Sequence, residues 1–178
     1  YVDVGLGKQL FRAFRPSIEL RGDREFKYHI DFERLDITSD IGAIVVSRPT
    51  NPTGNVLTDT EISKLRELAN ANHIPLIIDS AYGGPFPNIV FPQVATVWDE
   101  NIIICLSLSK LGLPGLRTGI VVAHEKVIRA VTAANAILSL APGSAGPGLV
   151  SDMVGDRSIL DLSDNVIRPY YQKRVKQA

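Results

Sequence analysis

Three short segments hold the side chains that could do chemistry. One runs Ser107-Leu108-Ser109-Lys110-Leu111-Gly112-Leu113-Pro114-Gly115-Leu116-Arg117-Thr118-Gly119 and sets hydroxyls, one amine and one guanidinium among flexible glycines. An amine can serve as nucleophile or proton carrier, and a planar guanidinium fork suits an anion with several oxygens. A lone lysine after a strand is ordinarily a solvated surface residue, however, and a G-x-R-x-G fragment by itself is an ordinary loop. The second segment, Ile77-Ile78-Asp79-Ser80-Ala81-Tyr82, carries a carboxylate straight out of an apolar run, where an unpaired charge would be expensive. An aspartate at a strand end also serves simply to cap a following helix. The third, Ser47-Arg48-Pro49-Thr50-Asn51-Pro52-Thr53-Gly54, holds Asn51 in a stiff turn between two prolines. Each proline fixes its own backbone angle and biases the residue before it toward an extended form. A plain asparagine–proline turn would look the same.

The elements that must position these segments are legible around them. Apolar runs rich in isoleucine and valine at 41–46, 74–78, 101–106 and 119–123 read as strands covered on both faces. Between the first two, Thr58 caps a helix over 58–72, with Glu61 completing a capping box and Ile62, Leu65, Leu68 and Ala69 on one face. Further helices are expected at 125–138 and 159–175, separated by a glycine- and proline-rich stretch, 141–148, that reads as a loop or a short helix start. Strand, helix, strand alternation predicts an α/β fold, a mostly parallel open sheet flanked by helices. In such a sheet ligands sit beyond the carboxyl ends of the strands. All three segments follow strands.

Bulk properties remove other classes of function. A chain of 178 residues, 45% hydrophobic and 21% charged, has the length and composition of one globular domain. Its 19 basic and 19 acidic residues cancel, so no net field favours nucleic acid or an anionic membrane. No apolar run approaches the roughly 18 to 20 residues of a spanning helix, and no leader opens the chain. Cys105 has no second cysteine to pair with and lies in an apolar run, which fits a reducing cytoplasm. The three histidines, His29, His73 and His124, lack metal-ligand spacing and read as surface or helix-end residues, so no metal site is expected. Trp98 and the phenylalanines read as core, Arg48 as a surface residue of its turn, and Tyr1 as a possible neighbour of the site. Tyr1 at one end and an uncapped helical pattern at the other suggest that both ends are interrupted.

Taken together, the N-P-T-G turn, the D-x-A-Y pattern and the S-x-S-K and P-G-x-R-x-G elements resemble the class I/II aminotransferases of fold type I, in the right order and over essentially the whole chain. The resemblance implies an aspartate aminotransferase-like large domain, with residues 1–178 a part of it and the small domain absent. It implies pyridoxal 5'-phosphate as cofactor, joined to Lys110, with Asp79 against the pyridine nitrogen, Asn51 and Tyr82 at the phenolic oxygen, and Ser107 and Arg117 at the phosphate. Ser109 is a further candidate for the phosphate. Lys110, Asp79 and Tyr82 would be the catalytic residues of a cytoplasmic homodimer that transfers an amino group between an amino acid and a 2-oxo acid, with valine as donor and pyruvate as acceptor. Lys110 and Arg117 stand one position closer than in the family's usual pattern, which puts the Arg117 contact in question. The same residues would also serve a cofactor-binding sensor domain of a transcription regulator, or a carbon–sulfur lyase on the same scaffold.

Overall fold

The computed structural model describes residues 10–141 and 143–177. Tyr1 therefore lies outside the described residues. The chain divides into two compact units, residues 1–40 and 41–178.

In the first unit an antiparallel hairpin pairs β1 (Ser17–Leu20) with β2 (Phe26–His29), Ser17 opposite His29 and Leu20 opposite Phe26. Gly22, at φ 109°, supplies the left-handed turn between them. Each strand has four residues and their apolar side chains stay partly exposed, so no buried run announces this hairpin in the sequence.

The second unit contains a four-stranded sheet in the order β3 (Ile44–Ser47), β4 (Leu76–Asp79), β5 (Ile102–Ser107), β6 (Gly119–Val122). The first three strands are parallel and β6 runs antiparallel to β5. Helix α1 (Asp59–Ala71) connects β3 to β4, as the capping box anticipates. The Thr58 side chain accepts from the Glu61 amide at 3.2 Å, and Glu61 returns a carboxylate oxygen to the Thr58 amide at 2.8 Å. Helix α1 packs along β4 and buries Ile62, Leu65 and Ala69. Leu76, Ile78, Ile102, Ile104 and Leu106 complete this core. Each such side chain contributes about 1.5–3 kcal/mol when withdrawn from water.

Burial alternates strictly along β4 and β5, so the strands are sealed on one face and half-open on the other, where Ile77, Asp79, Ile103, Cys105 and Ser107 lie. The expectation of cover on both faces is therefore met on one face of β4 and β5 and on neither face of β3 and β6, which have no buried residue. Trp98 and most phenylalanines also depart from their expected core position: Trp98 is 46% exposed and Phe26 56%, whereas Phe86 is buried. Trp98 follows a strap, 92–97, that has no helix or strand of its own.

After β6 come α2 (Glu125–Ser139), with no buried residue, α3 (Ala145–Gly155), α4 (Ser158–Leu162) and α5 (Arg168–Val175). A π-helical turn, Ser163–Ile167, joins α4 to α5, so the single helix expected over 159–175 changes its winding midway. There Ser163 is wholly buried and donates its hydroxyl to the Pro87 carbonyl at 2.7 Å. The glycine-rich stretch becomes the start of α3, where Gly146 is the key residue. A Cβ there would overlap the Thr118 side chain, so glycine lets the helix sit directly on the segment that leads into β6.

Candidate active site

Parallel register brings the ends of β3, β4 and β5 to one edge. Ser47 stands beside Asp79, and Asp79 beside Cys105. Because β6 is antiparallel, its first residue, Gly119, pairs with Ser107 at the end of β5, so the Arg117–Thr118 segment returns to the same edge. The three chemistry-bearing segments are thereby assembled by strand pairing alone.

Lys110 sits on a single 3-10 turn, Leu108–Leu111. Residues three apart eclipse one another in this helix type, and here Leu108 and Leu111 are both buried, leaving Ser109 and Lys110 partly exposed. The Ser107 hydroxyl caps the turn by accepting from the Ser109 amide at 3.1 Å. Gly112, at φ 101°, ends it, its amide donating to the Leu108 carbonyl. The Lys110 ammonium lies 5.1 Å from the centre of the Tyr82 ring, within cation–π range.

Tyr82 in turn meets the third segment: Asn51 Nδ2 donates to the Tyr82 hydroxyl oxygen at 3.4 Å. The turn that carries Asn51 is closed by the Thr50 amide donating to Asn55 O at 2.8 Å and the Gly54 amide donating to Thr50 O at 2.7 Å, with Gly54 at φ 69°. Asp79 does not cap a helix. Its Oδ1 accepts from the Ala81 amide at 3.1 Å and turns the chain toward Tyr82. Its charge also reaches Cys105, whose thiol is pushed above its ordinary value first by burial and then by the Asp79 carboxylate.

Arg117 reaches back despite the shortened spacing. It takes up a left-handed conformation, φ 48° and ψ 42°, and donates Nη1 to the Pro114 carbonyl at 3.3 Å and to Ser109 Oγ at 3.5 Å. Of the two candidate serines, Ser109 is thus the one beside Arg117. Ser107 spends an acceptor site on the Ser109 amide and keeps its O–H to donate.

Arg48 departs from the sequence reading. It is buried, and it donates Nε to the Leu57 carbonyl at 2.7 Å, Nη1 to the Ala95 carbonyl at 2.8 Å and Nη2 to Asp59 Oδ1 at 2.6 Å. Its partners lie far along the chain in no regular spacing, so the sequence carries no signal of this role. The histidines keep modest roles: His124 caps α2 through Nδ1, His73 follows α1, and His29 meets Glu19 at 2.8 Å on the hairpin. Among the described residues no group of three His, Cys, Asp or Glu is placed to hold a metal, and no helix is long and apolar enough to cross a membrane.

An amine, a carboxylate, a phenol, an amide and a guanidinium with a hydroxyl thus stand beyond the carboxyl edge of an α/β sheet, the edge where such sheets bind ligands. The chain belongs to the Aminotransferase class I and II family, which matches residues 14–176. Pyridoxal 5'-phosphate is the cofactor this membership implies.

Among individual proteins, the chain is 54% identical over 177 residues to the valine–pyruvate aminotransferase of Escherichia coli, covering 99% of this chain and 42% of that protein. The crystal structure of valine–pyruvate aminotransferase from Salmonella typhimurium LT2 superposes with a TM-score of 0.85 at 55% identity, covering 92% of this chain and 42% of that one. A double mutant of Thermus thermophilus aspartate aminotransferase, 21% identical, shares the fold at a TM-score of 0.67 over 78% of this chain and 36% of that one. The chain thus spans about two fifths of the length of the valine–pyruvate aminotransferases it matches.

Proposed function

We propose that residues 1–178 are part of the large domain of a pyridoxal-phosphate-dependent aminotransferase that exchanges the amino group of valine with pyruvate, giving 3-methyl-2-oxobutanoate and alanine. The observation that carries the reading is the convergence of Asn51, Tyr82 and Lys110, with the amide on the phenol and the amine over its ring. The choice of valine and pyruvate is supported by the two valine–pyruvate aminotransferases at 54% and 55% identity.

The side chains fit the group one by one. Asp79 uses Oδ1 locally, and its other oxygen is the one to hold a proton on the pyridine nitrogen by its negative charge. Asn51 Nδ2 and the Tyr82 hydroxyl donate to the phenolic oxygen. Arg117, with Ser109 and the Ser107 hydroxyl, binds the phosphate through charge-assisted hydrogen bonds. When bound, the cofactor supplies an electron-accepting ring for the electron pair left by the broken Cα–H bond of the substrate. Lys110 would hold the aldehyde through Nζ, and with its amine free it would take the proton from the substrate Cα as general base and give it back as general acid.

The remaining parts of the site, an earlier phosphate-binding loop, an aromatic that stacks on the ring and a small-domain arginine for the substrate carboxylate, belong in this proposal to segments outside the chain. A cytoplasmic homodimer working in amino acid biosynthesis completes it. The apolar side chains exposed along α2 support burial against further protein, and Cys105, with no partner for a disulfide, supports the location.

Product analysis on the full-length protein tests the function. L-valine and pyruvate should yield alanine and 3-methyl-2-oxobutanoate in equal amounts. Ammonia and pyruvate released from a cysteine conjugate would identify a lyase, and cofactor binding without turnover of any donor would identify a sensor.

A further inference from the structure

The guanidinium of Arg48 is buried, and each of its three nitrogens has a partner. Nε holds the Leu57 carbonyl, just beyond the Asn51 turn. Nη2 holds Asp59 Oδ1 at the start of α1. Nη1 holds the Ala95 carbonyl in the strap, and Asp59 Oδ1 also accepts from the Ala95 amide at 3.1 Å. One ion pair therefore grips both polar groups of a single strap residue, which has no strand or helix to hold it otherwise.

The main chain of Arg48 acts on the other side. Its amide donates to the Asp79 carbonyl at 2.8 Å, continuing the parallel ladder one residue past β3. Its carbonyl presses on Gly83, where an added Cβ would overlap it. The next glycine, Gly84, faces the strap: a Cβ there would meet Thr96 Oγ1 at 2.7 Å. The two residues after Tyr82 are thus enclosed between the Arg48 carbonyl and the strap that the Arg48 side chain fixes. Asn51, three positions from Arg48, and Tyr82, one position from Gly83, are both set by the same clamp.

We propose that Arg48, through Asp59 and the Ala95 strap, is a positioning residue that sets the Asn51–Tyr82 contact and thereby the hydrogen bonding available to the cofactor's phenolic oxygen. This inference rests on the function proposed above. Donors on that oxygen compete with the proton it shares with the lysine-derived nitrogen, so a loosened pair makes that proton harder to remove. Its titration midpoint then moves to higher pH.

The test uses the full-length holoenzyme and the pH titration of the visible absorbance of the lysine-bound cofactor. Arg48→Met should move the midpoint up by about one pH unit, a tenfold change in proton affinity. Arg48→Lys, which keeps the charge but not the fork, and Asp59→Asn, which loosens the clamp from its exposed side, should each give a smaller upward shift. In the cofactor-free protein, the amides of 50, 51, 53–56 and 82–84 should exchange faster with deuterium in all three variants. Ile159→Ala, a core truncation in α4, serves as the control for destabilisation alone. Variants that melt earlier yet keep the wild-type midpoint and the exchange pattern of Ile159→Ala would overturn the positioning role. A wild-type holoenzyme with no such absorbance would overturn the function itself, and this inference with it.

Discussion

At the scale of single residues, Arg117 shows a cost accepted for position. A left-handed backbone costs a non-glycine residue about 1–2 kcal/mol, and Arg117 adopts one at φ 48° while turning Nη1 toward Ser109. Arg117→Gly removes the strain and also loosens the unfolded chain, effects of similar size and opposite sign. We expect the melting temperature of the cofactor-free protein to change little. Affinity for pyridoxal phosphate should fall by about ten- to a hundredfold, the value of a charged hydrogen bond of about 1.5–3 kcal/mol. A large loss of stability with unchanged affinity would place Arg117 in the scaffold and take it out of the phosphate site. Lys110, Asp79, Asn51 and Tyr82 were singled out as candidates by the family resemblance of their motifs taken together, since each segment alone reads equally well as a turn, a cap or a surface lysine. Arg48 was not. Its partners Leu57, Asp59 and Ala95 are brought to it by the fold, and a guanidinium beside two prolines reads as solvent-exposed until the strap is seen.

Among the elements, the strands and α1 were readable for a physical reason: a continuous apolar run and a capping box are local signals. The strand ends agree with expectation to within a few residues, and the Thr58–Glu61 box forms as written. The β1–β2 hairpin and the π-turn were not readable, and α3 was readable only as one of two alternatives for 141–148. The hairpin strands bury little, α3 begins beside Gly146, whose lack of a side chain serves its packing on Thr118, and the π-turn carries the buried Ser163, whose partner Pro87 lies far away in the chain. The start of α1 also carries a pH-dependent tie. The hydrogen bond from Arg48, more than any other cause, holds the Asp59 carboxyl below its ordinary value of 3.8. A lowered folded-state value means that the carboxylate's contribution is fully present above 3.8 and is lost as pH falls through the lower, folded value. Stability curves of wild type and Asp59→Asn should therefore run parallel above pH 5 or so and converge in more acid solution. A constant gap down to the most acid pH would show that the Asp59 charge contributes nothing through Arg48.

Over the whole molecule, β4 and β5 are sealed on one face and half-open on the other, and apolar side chains stand exposed at the end of α2 and at the residue that follows it, with Ile137, Leu138 and Leu140 each more than 80% accessible. Such a surface marks a site of further burial, in keeping with a chain that spans about two fifths of its relatives. The isolated 178-residue chain should give no measurable alanine from L-valine and pyruvate under conditions where the full-length protein does. Turnover by the isolated chain would mean that the site is complete without the rest. The central claim is the covalent one, that a B6 aldehyde is carried by a single amine at the edge of this sheet. Its most direct measurement is reduction of the full-length holoprotein with borohydride, followed by proteolysis and mass spectrometry. We expect a reduced pyridoxyl-phosphate adduct on Lys110 and none in Lys110→Ala; an adduct on another lysine, or no adduct while the protein still transaminates, would contradict the assignment.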